Sequence, residues 1–223
     1  MSRFVGVLGP GRCGTSAIAG AMSVAGIFMG FDLIGLHPEF NRKGHFEDRN
    51  IHVLNRLIVR DHLPHPAFEG SVDLAQHGTP FRNFSDLAEE YDKQLSRRDD
   101  MPIWGLKCAY LARVWDFVGH RYPEDVRFVM VHRGWEAMTG SRMNHSGASK
   151  ELAEQRQSVL IADALKLAAE YPTHHVVYEE LIADPKWVVT EMLDFAIADL
   201  DLDSDLDFQA GIDWIDASMC HHV

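Results

Sequence analysis

The first hydrophobic run, Phe4-Val5-Gly6-Val7-Leu8, is continuous rather than alternating, and it stops at Gly9-Pro10-Gly11. An unbroken apolar run of this length is what a strand buried on both faces requires. Behind Thr15 and Ser16, apolar residues recur at three- and four-residue spacing, so a strand, a glycine-rich loop and a helix follow one another. Further strands are expected at 103–106, 126–131 and 175–178, each followed by a helical pattern, with helices at about 48–60, 84–97, 111–120, 151–169 and 185–198. Strands alternating with helices predict an α/β domain: a three-layer sandwich with a central parallel sheet flanked by helices. Residues 61–80 break the pattern with prolines, glycines and histidines and are expected to be a loop or lid insertion.

A length of 223 residues suits one domain, here 1–198, with an acidic segment at 199–223 expected to belong to it. From residue 187 onward there are nine carboxylates and no Lys or Arg. The alternating aspartates at 199–207 lack the glycine and distal glutamate of an EF-hand, so this stretch reads as solvated. The net charge of −12 gives no basic footprint for a nucleic acid or an anionic membrane surface. The most apolar stretch, 17–31, is shorter than the ~20 residues of a membrane span and meets Asp32. The three cysteines, Cys13, Cys108 and Cys220, are far apart and form no C-x-x-C pair, which argues against disulfides and a zinc ribbon. With no secretory pattern at the N-terminus, a cytoplasmic location is expected. The thirteen histidines include no H-E-x-x-H pair, so no metal is expected, and Cys220-His221-His222 is assigned no function.

Two constellations carry chemistry. The loop Gly9-Pro10-Gly11-Arg12-Cys13-Gly14-Thr15-Ser16 sits after a strand and at a helix N-terminus, where backbone N–H groups and the helix dipole favour an anion, and Arg12 adds a full positive charge. It is similar to the phosphate-loop consensus G-x-x-x-x-G-K-[ST], but Thr15 stands in the lysine position. The second is the apolar strand ending in His132-Arg133, with Ser141 eight residues further on: an arginine fork at a carboxyl strand end, where open α/β sheets bind ligands.

In these residues the chain resembles the sulfotransferases that use 3′-phosphoadenosine 5′-phosphosulfate (PAPS), in particular bacterial-type members with a P-loop NTPase-like fold. Arg12-Cys13-Gly14-Thr15-Ser16 resembles the 5′-phosphosulfate loop, and Gly11 precedes it. Arg133 and Ser141 resemble the pair that holds the 3′-phosphate. Val177-Tyr178-Glu179-Glu180-Leu181 with Asp184-Pro185 resembles the late Y-E-D-L…D-P element, whose tyrosine lies near the adenine. Gly44-His45-Phe46-Glu47-Asp48, followed by Leu54-Asn55, resembles the segment G-Y-F-E-D…L-N.

The resemblance spans about 4–198. It implies transfer of a sulfuryl group to a hydroxyl or amine of a small-molecule or glycan acceptor, with PAPS as co-substrate and no metal. It also implies that Lys107 contacts the transferring group. The histidine that cytosolic members carry two residues after that lysine is replaced by Ala109, so Glu47 is the expected base, with His45 and His37 in reserve. Two alternatives remain: a small-molecule kinase using ATP and magnesium, and a non-catalytic nucleotide-binding relative.

Overall fold

The computed structural model describes residues 2–36, 42–68, 83–200 and 206–216. Its sheet has four parallel strands, β1 (Arg3–Leu8), β2 (Ile103–Lys107), β3 (Asp125–His132) and β4 (Thr173–Val177), in the order β2-β1-β3-β4. β1 is central and fully buried, pairing Phe4 with Trp104 on one side and with Val126 on the other. The unbroken apolar runs follow from that position, because neither face of the strand meets water.

Alternation along each strand divides the core in two. Phe4, Leu8, Trp104, Leu106, Phe128 and Met130 face one layer, while Val5, Val7, Ile103, Val129, Val131 and Val176 face the other. The first layer is covered by α2 (Arg49–His62), α3 (Phe84–Ser96), α4 (Leu111–Val118) and α6 (Lys150–Glu170). The second is covered by α1 (Thr15–Val24) and α8 (Pro185–Ile197), with α9 (Phe208–Trp214) packed against both helices. The aromatic centre of the first layer has Phe4 between Trp104 at 4.6 Å and Tyr122 at 4.5 Å, ring centre to ring centre. Gly6 is obligatory beneath it, since a Cβ there would lie 2.6 Å from the Phe128 ring.

The α/β sandwich with a parallel sheet is therefore present as expected. The differences are local. The strand expected at 175–178 is shifted to Thr173–Val177, and Tyr178 instead opens a short helix, α7 (Tyr178–Ala183). The helix expected at 111–120 ends at Val118 and tightens into a 3-10 turn at Gly119–Arg121. α5 (Trp135–Ser146) is the helix expected after β3, though its weak amphipathicity gave it no bounds, whereas α7 and α9 are too short for periodicity to mark. Of the expected insertion 61–80, Pro66–Phe68 forms one 3-10 turn and 69–80 lies outside the described residues. In the acidic stretch, Asp207 caps α9 and Asp199 pairs with Arg127. No described helix is long and apolar enough to cross a membrane.

The chain runs from β1 to β2 on one side, then crosses back to β3 on the other. The topological switch point thus lies at the carboxyl ends of β1 and β3, where a ligand crevice is expected in an open parallel sheet.

Candidate active site

A cavity of about 410 Å³ opens at that switch point. Of the residues singled out from the sequence, Gly11, Arg12, Gly14, Thr15, Ser16, His45, Glu47, Lys107, Arg133, Ser141 and Tyr178 line it. Cys13 does not: its side chain is fully buried in the core beneath the loop, and burial pushes its thiol up to about 11. His37 lies outside the described residues.

The loop is held in shape from all sides. Gly14 precedes α1 with φ +101°, and a Cβ there would lie 2.2 Å from the Tyr178 ring, so glycine alone lets the backbone and that ring meet. Arg12 adopts φ +79°, a left-handed conformation that is costly for a side-chain-bearing residue and persists where surrounding contacts enforce it. Those contacts are present. Arg12 Nε donates to Ser141 Oγ at 3.0 Å, and Arg133 Nη1 donates to the Arg12 carbonyl at 3.1 Å. The Gly11 carbonyl accepts from Gln157 Nε2 at 2.9 Å and from Arg142 Nη2 at 3.3 Å. The Arg133 guanidinium lies 4.7 Å from the centre of the Tyr178 ring, a cation–π contact that ties β3 to α7.

Three arginines, Arg12, Arg133 and Arg142, thus converge on one loop. Burial lowers the Arg12 pKa, and the neighbouring Arg142 and Arg133 charges lower it further. Arg142 was not singled out from sequence. Its neighbour Ser141 faces the loop, and only the fold shows that Arg142 reaches Gly11 as well.

Opposite the loop stands a second charge cluster. Lys107, at the end of β2, bonds Glu47 Oε1, and His52 Nδ1, on α2, bonds Glu47 Oε2. Lys107 and Glu47 are both buried. Burial alone would raise the Glu47 carboxyl, but Lys107 and His52 outweigh it and hold the group well below the usual carboxylate range. Burial likewise opposes charge on His52, yet Glu47 and Cys108 raise it to about 9.

The backbone aims Glu47 into this cluster. Gly44 and Phe46 adopt φ +106° and +54°, Ile34 N–H donates to the Glu47 carbonyl at 2.8 Å, and Asp48 caps α2 by accepting from Asn50 N at 3.1 Å. The Phe46 ring meets Trp214 of α9 edge-on at 5.3 Å, so α9 closes this wall of the cavity.

His52 gives the cluster a pH signature. Its folded pKa is raised above the ordinary histidine value, so its contribution to stability is fully present below about 6.5 and is lost as pH rises through about 9. Glu47 has a depressed folded value, so its contribution is lost only in strong acid. The thermal midpoint is therefore expected to fall between pH 6.5 and 9 in a manner that His52→Gln removes. Parallel slopes for the two proteins would show that the pair is not formed in solution.

Among its described residues the cavity presents six Lys or Arg side chains, namely Arg12, Lys43, Arg56, Lys107, Arg133 and Arg142, against the carboxylates Glu47 and Asp216. In a chain of net charge −12 this is a local inversion of sign.

No protein-family model matches the chain, and no curated protein matches it. Solved structures do share its fold. Sulfotransferase STF9 from Mycobacterium avium superposes with a TM-score of 0.55 at 17% identity, covering 96% of this chain and 67% of that one. Sulfotransferase STF1 from Mycobacterium tuberculosis gives 0.52 at 17% identity, covering 99% of this chain and 75% of that one. The fold of this chain is thus one that bacterial sulfotransferases use. At this identity the likeness concerns architecture alone.

Proposed function

We propose that the chain is a cytoplasmic sulfotransferase that moves the sulfuryl group of PAPS to a hydroxyl or amine of a small-molecule or glycan acceptor. The observation that carries this reading is the joining of an anion loop, an Arg133–Ser141–Arg12 network and a buried Lys107–Glu47 pair around one cavity at the topological switch point.

In this reading Gly11, Arg12, Cys13, Gly14, Thr15 and Ser16 hold the 5′-phosphosulfate, Cys13 through its backbone only. Arg133 and Ser141 hold the 3′-phosphate, and Tyr178 flanks the adenine. A second phosphate far along the nucleotide from the first distinguishes this donor from ATP. Arg133 and Arg12 meet through the loop backbone, so each phosphate site would stiffen the other.

Transfer forms a bond from the acceptor oxygen to sulfur as the bond from sulfur to the 5′-phosphate oxygen breaks, and the electron pair leaves with the nucleotide. Charge spreads over the equatorial oxygens, so positioning and fixed cations dominate, as in phosphoryl transfer. Arg12 and Lys107 supply those cations, with no metal called for. Glu47 takes the acceptor proton, with His45 in reserve. A weakly basic carboxylate suffices when the transition state is loose, because the acceptor becomes strongly acidic only as its bond to sulfur forms. His52 holds Glu47 Oε2 so that the carboxylate does not turn away from the cavity.

The test is label transfer. With sulfur-labelled PAPS, a chelator and a panel of sugars, phenols and amino alcohols, label is expected to pass into an acceptor. Label that stays on the nucleotide while ATP with magnesium phosphorylates an acceptor would establish the kinase reading instead. Nucleotide binding without either transfer would establish the non-catalytic one.

A further inference from the structure

We propose that Glu47, His52 and Cys108 form a binding site for one thiophilic divalent cation, zinc above all, and that its occupancy switches off the transfer function proposed above. The three residues come from separate segments: the turn before α2, α2 itself and the residue after β2. Their donor atoms, one oxygen, one nitrogen and one sulfur, all lie within 4.8 Å of one another, and Cys108 Sγ is 4.0 Å from His52 Nδ1.

Tetrahedral zinc with bonds of about 2.0–2.3 Å sets its ligand atoms roughly 3.3–3.7 Å apart. Side-chain adjustments of about an ångström would therefore close the site. Cys108 is a free, buried cysteine, so no disulfide competes for it.

The nearby Lys107 ammonium looks at first like an obstacle, but the charge balance removes it. Zinc would take the place of the proton between His52 Nδ1 and Glu47 Oε2 and of the Cys108 thiol proton. Two positive charges enter, two leave, and the cluster seen by Lys107 is unchanged. Lys107 already bonds the other carboxylate oxygen, Oε1, which is the kind of outer contact that orients a metal-bound carboxylate.

Three protein ligands leave a fourth tetrahedral position. Glu47 and His52 line the cavity, which supplies room for a water there. A Glu47 carboxylate bound to zinc is no longer the base that receives an acceptor proton. Metal occupancy and proton transfer are thus mutually exclusive, and zinc would act as a reversible inhibitor.

Zinc and cobalt titrations of the full chain, carrying Cys220→Ala, His221→Ala and His222→Ala so that the C-terminal donors do not compete, test the site without nucleotide. One zinc per chain is expected, together with a near-ultraviolet thiolate-to-cobalt band. Cys108→Ala should abolish that band and weaken zinc at least tenfold. Cys108→Ser, nearly the same size, should also abolish the band and guards against misfolding of the alanine variant. Zinc affinity unchanged in both variants, or cobalt binding without a thiolate band, would overturn the site. The inhibitory role is read separately: zinc should suppress label transfer in the tail-substituted protein and spare it in Cys108→Ser, and equal suppression in both would overturn that role. The metal titration stands whether or not the chain uses PAPS, so failure of the sulfotransferase reading would leave its result intact.

Discussion

Replacing Arg12 with Ala is expected to lower sulfuryl transfer by about 10²–10³-fold, on the order of 3–4 kcal/mol, because a fixed donor aimed at developing charge is lost from a water-poor site. The loss should fall mainly on kcat. Arg133 and the loop backbone still hold the nucleotide in the ground state, whereas the charge on the transferring group peaks in the transition state. Arg12→Lys should recover only part of the activity. It restores a point charge but not the fork that donates from Nε to Ser141 while leaving other N–H groups for the ligand. Steady-state kinetics on the three proteins checks this. Turnover within about threefold of the parent in Arg12→Ala would mean that the sulfuryl group does not sit at this loop.

The second large effect concerns stability. Asp48 and Arg98 form an ion pair at 2.6 Å, with side chains 0% and 1% exposed, and the Arg98 guanidinium lies 5.4 Å from the Trp104 ring and 5.2 Å from the Phe31 ring. Asp48 also accepts from the backbone N–H groups of Phe31, Asn50 and Ile51. Asp48→Ala removes a helix cap and strands a buried cation, at a cost of roughly 3–5 kcal/mol. At ~2–4 °C per kcal/mol for a domain of this size, the thermal midpoint should drop by about 6–20 °C.

Asp48→Asn keeps the cap acceptor and should fall in between. Asp48→Ala combined with Arg98→Met should regain part of the loss, because the stranded charge is gone. Calorimetry across the set decides it. A midpoint within a degree or two of the parent in Asp48→Ala would show that the pair is not what anchors the turn before α2. That turn also carries Glu47, so the same substitution should blur the geometry of the Glu47–Lys107–His52 cluster.

How much was legible in advance depended on how local each signal is. β1 and β2 were readable because strands buried on both faces are nearly continuous apolar runs, and β3 because Phe128 to Val131 is one despite Arg127 before it. The loop was readable because its glycines sit at fixed offsets from a strand and a helix. β4 slipped in register because its polar start, Thr173-His174-His175, is half exposed at the sheet edge, and Tyr178 belongs to the following helix. α9 was hidden in a stretch whose composition reads as solvated, although Trp214 packs on Gly20 of α1.

The site divided in the same way. Lys107 is buried against Glu47, a contact across sixty positions that no local pattern encodes. His52 lay in plain view on a predicted helix. Nothing in the spacing of α2 marked it as Glu47's partner, since a five-residue separation matters only once the turn at Phe46 folds Glu47 back. Arg142 and Cys108 were missed for the same reason: their partners, Gly11 and His52, are distant in sequence.

The measurement that tests the central claim most directly is calorimetric titration with 3′-phosphoadenosine 5′-phosphate, the desulfated nucleotide, beside adenosine diphosphate, in the parent protein and in Arg133→Ala. Binding is expected to depend on the 3′-phosphate and to weaken about ten- to a hundredfold in Arg133→Ala, close to the affinity for the diphosphate. Equal affinity for the two nucleotides in the parent protein, or an Arg133→Ala variant that still tells them apart, would contradict it.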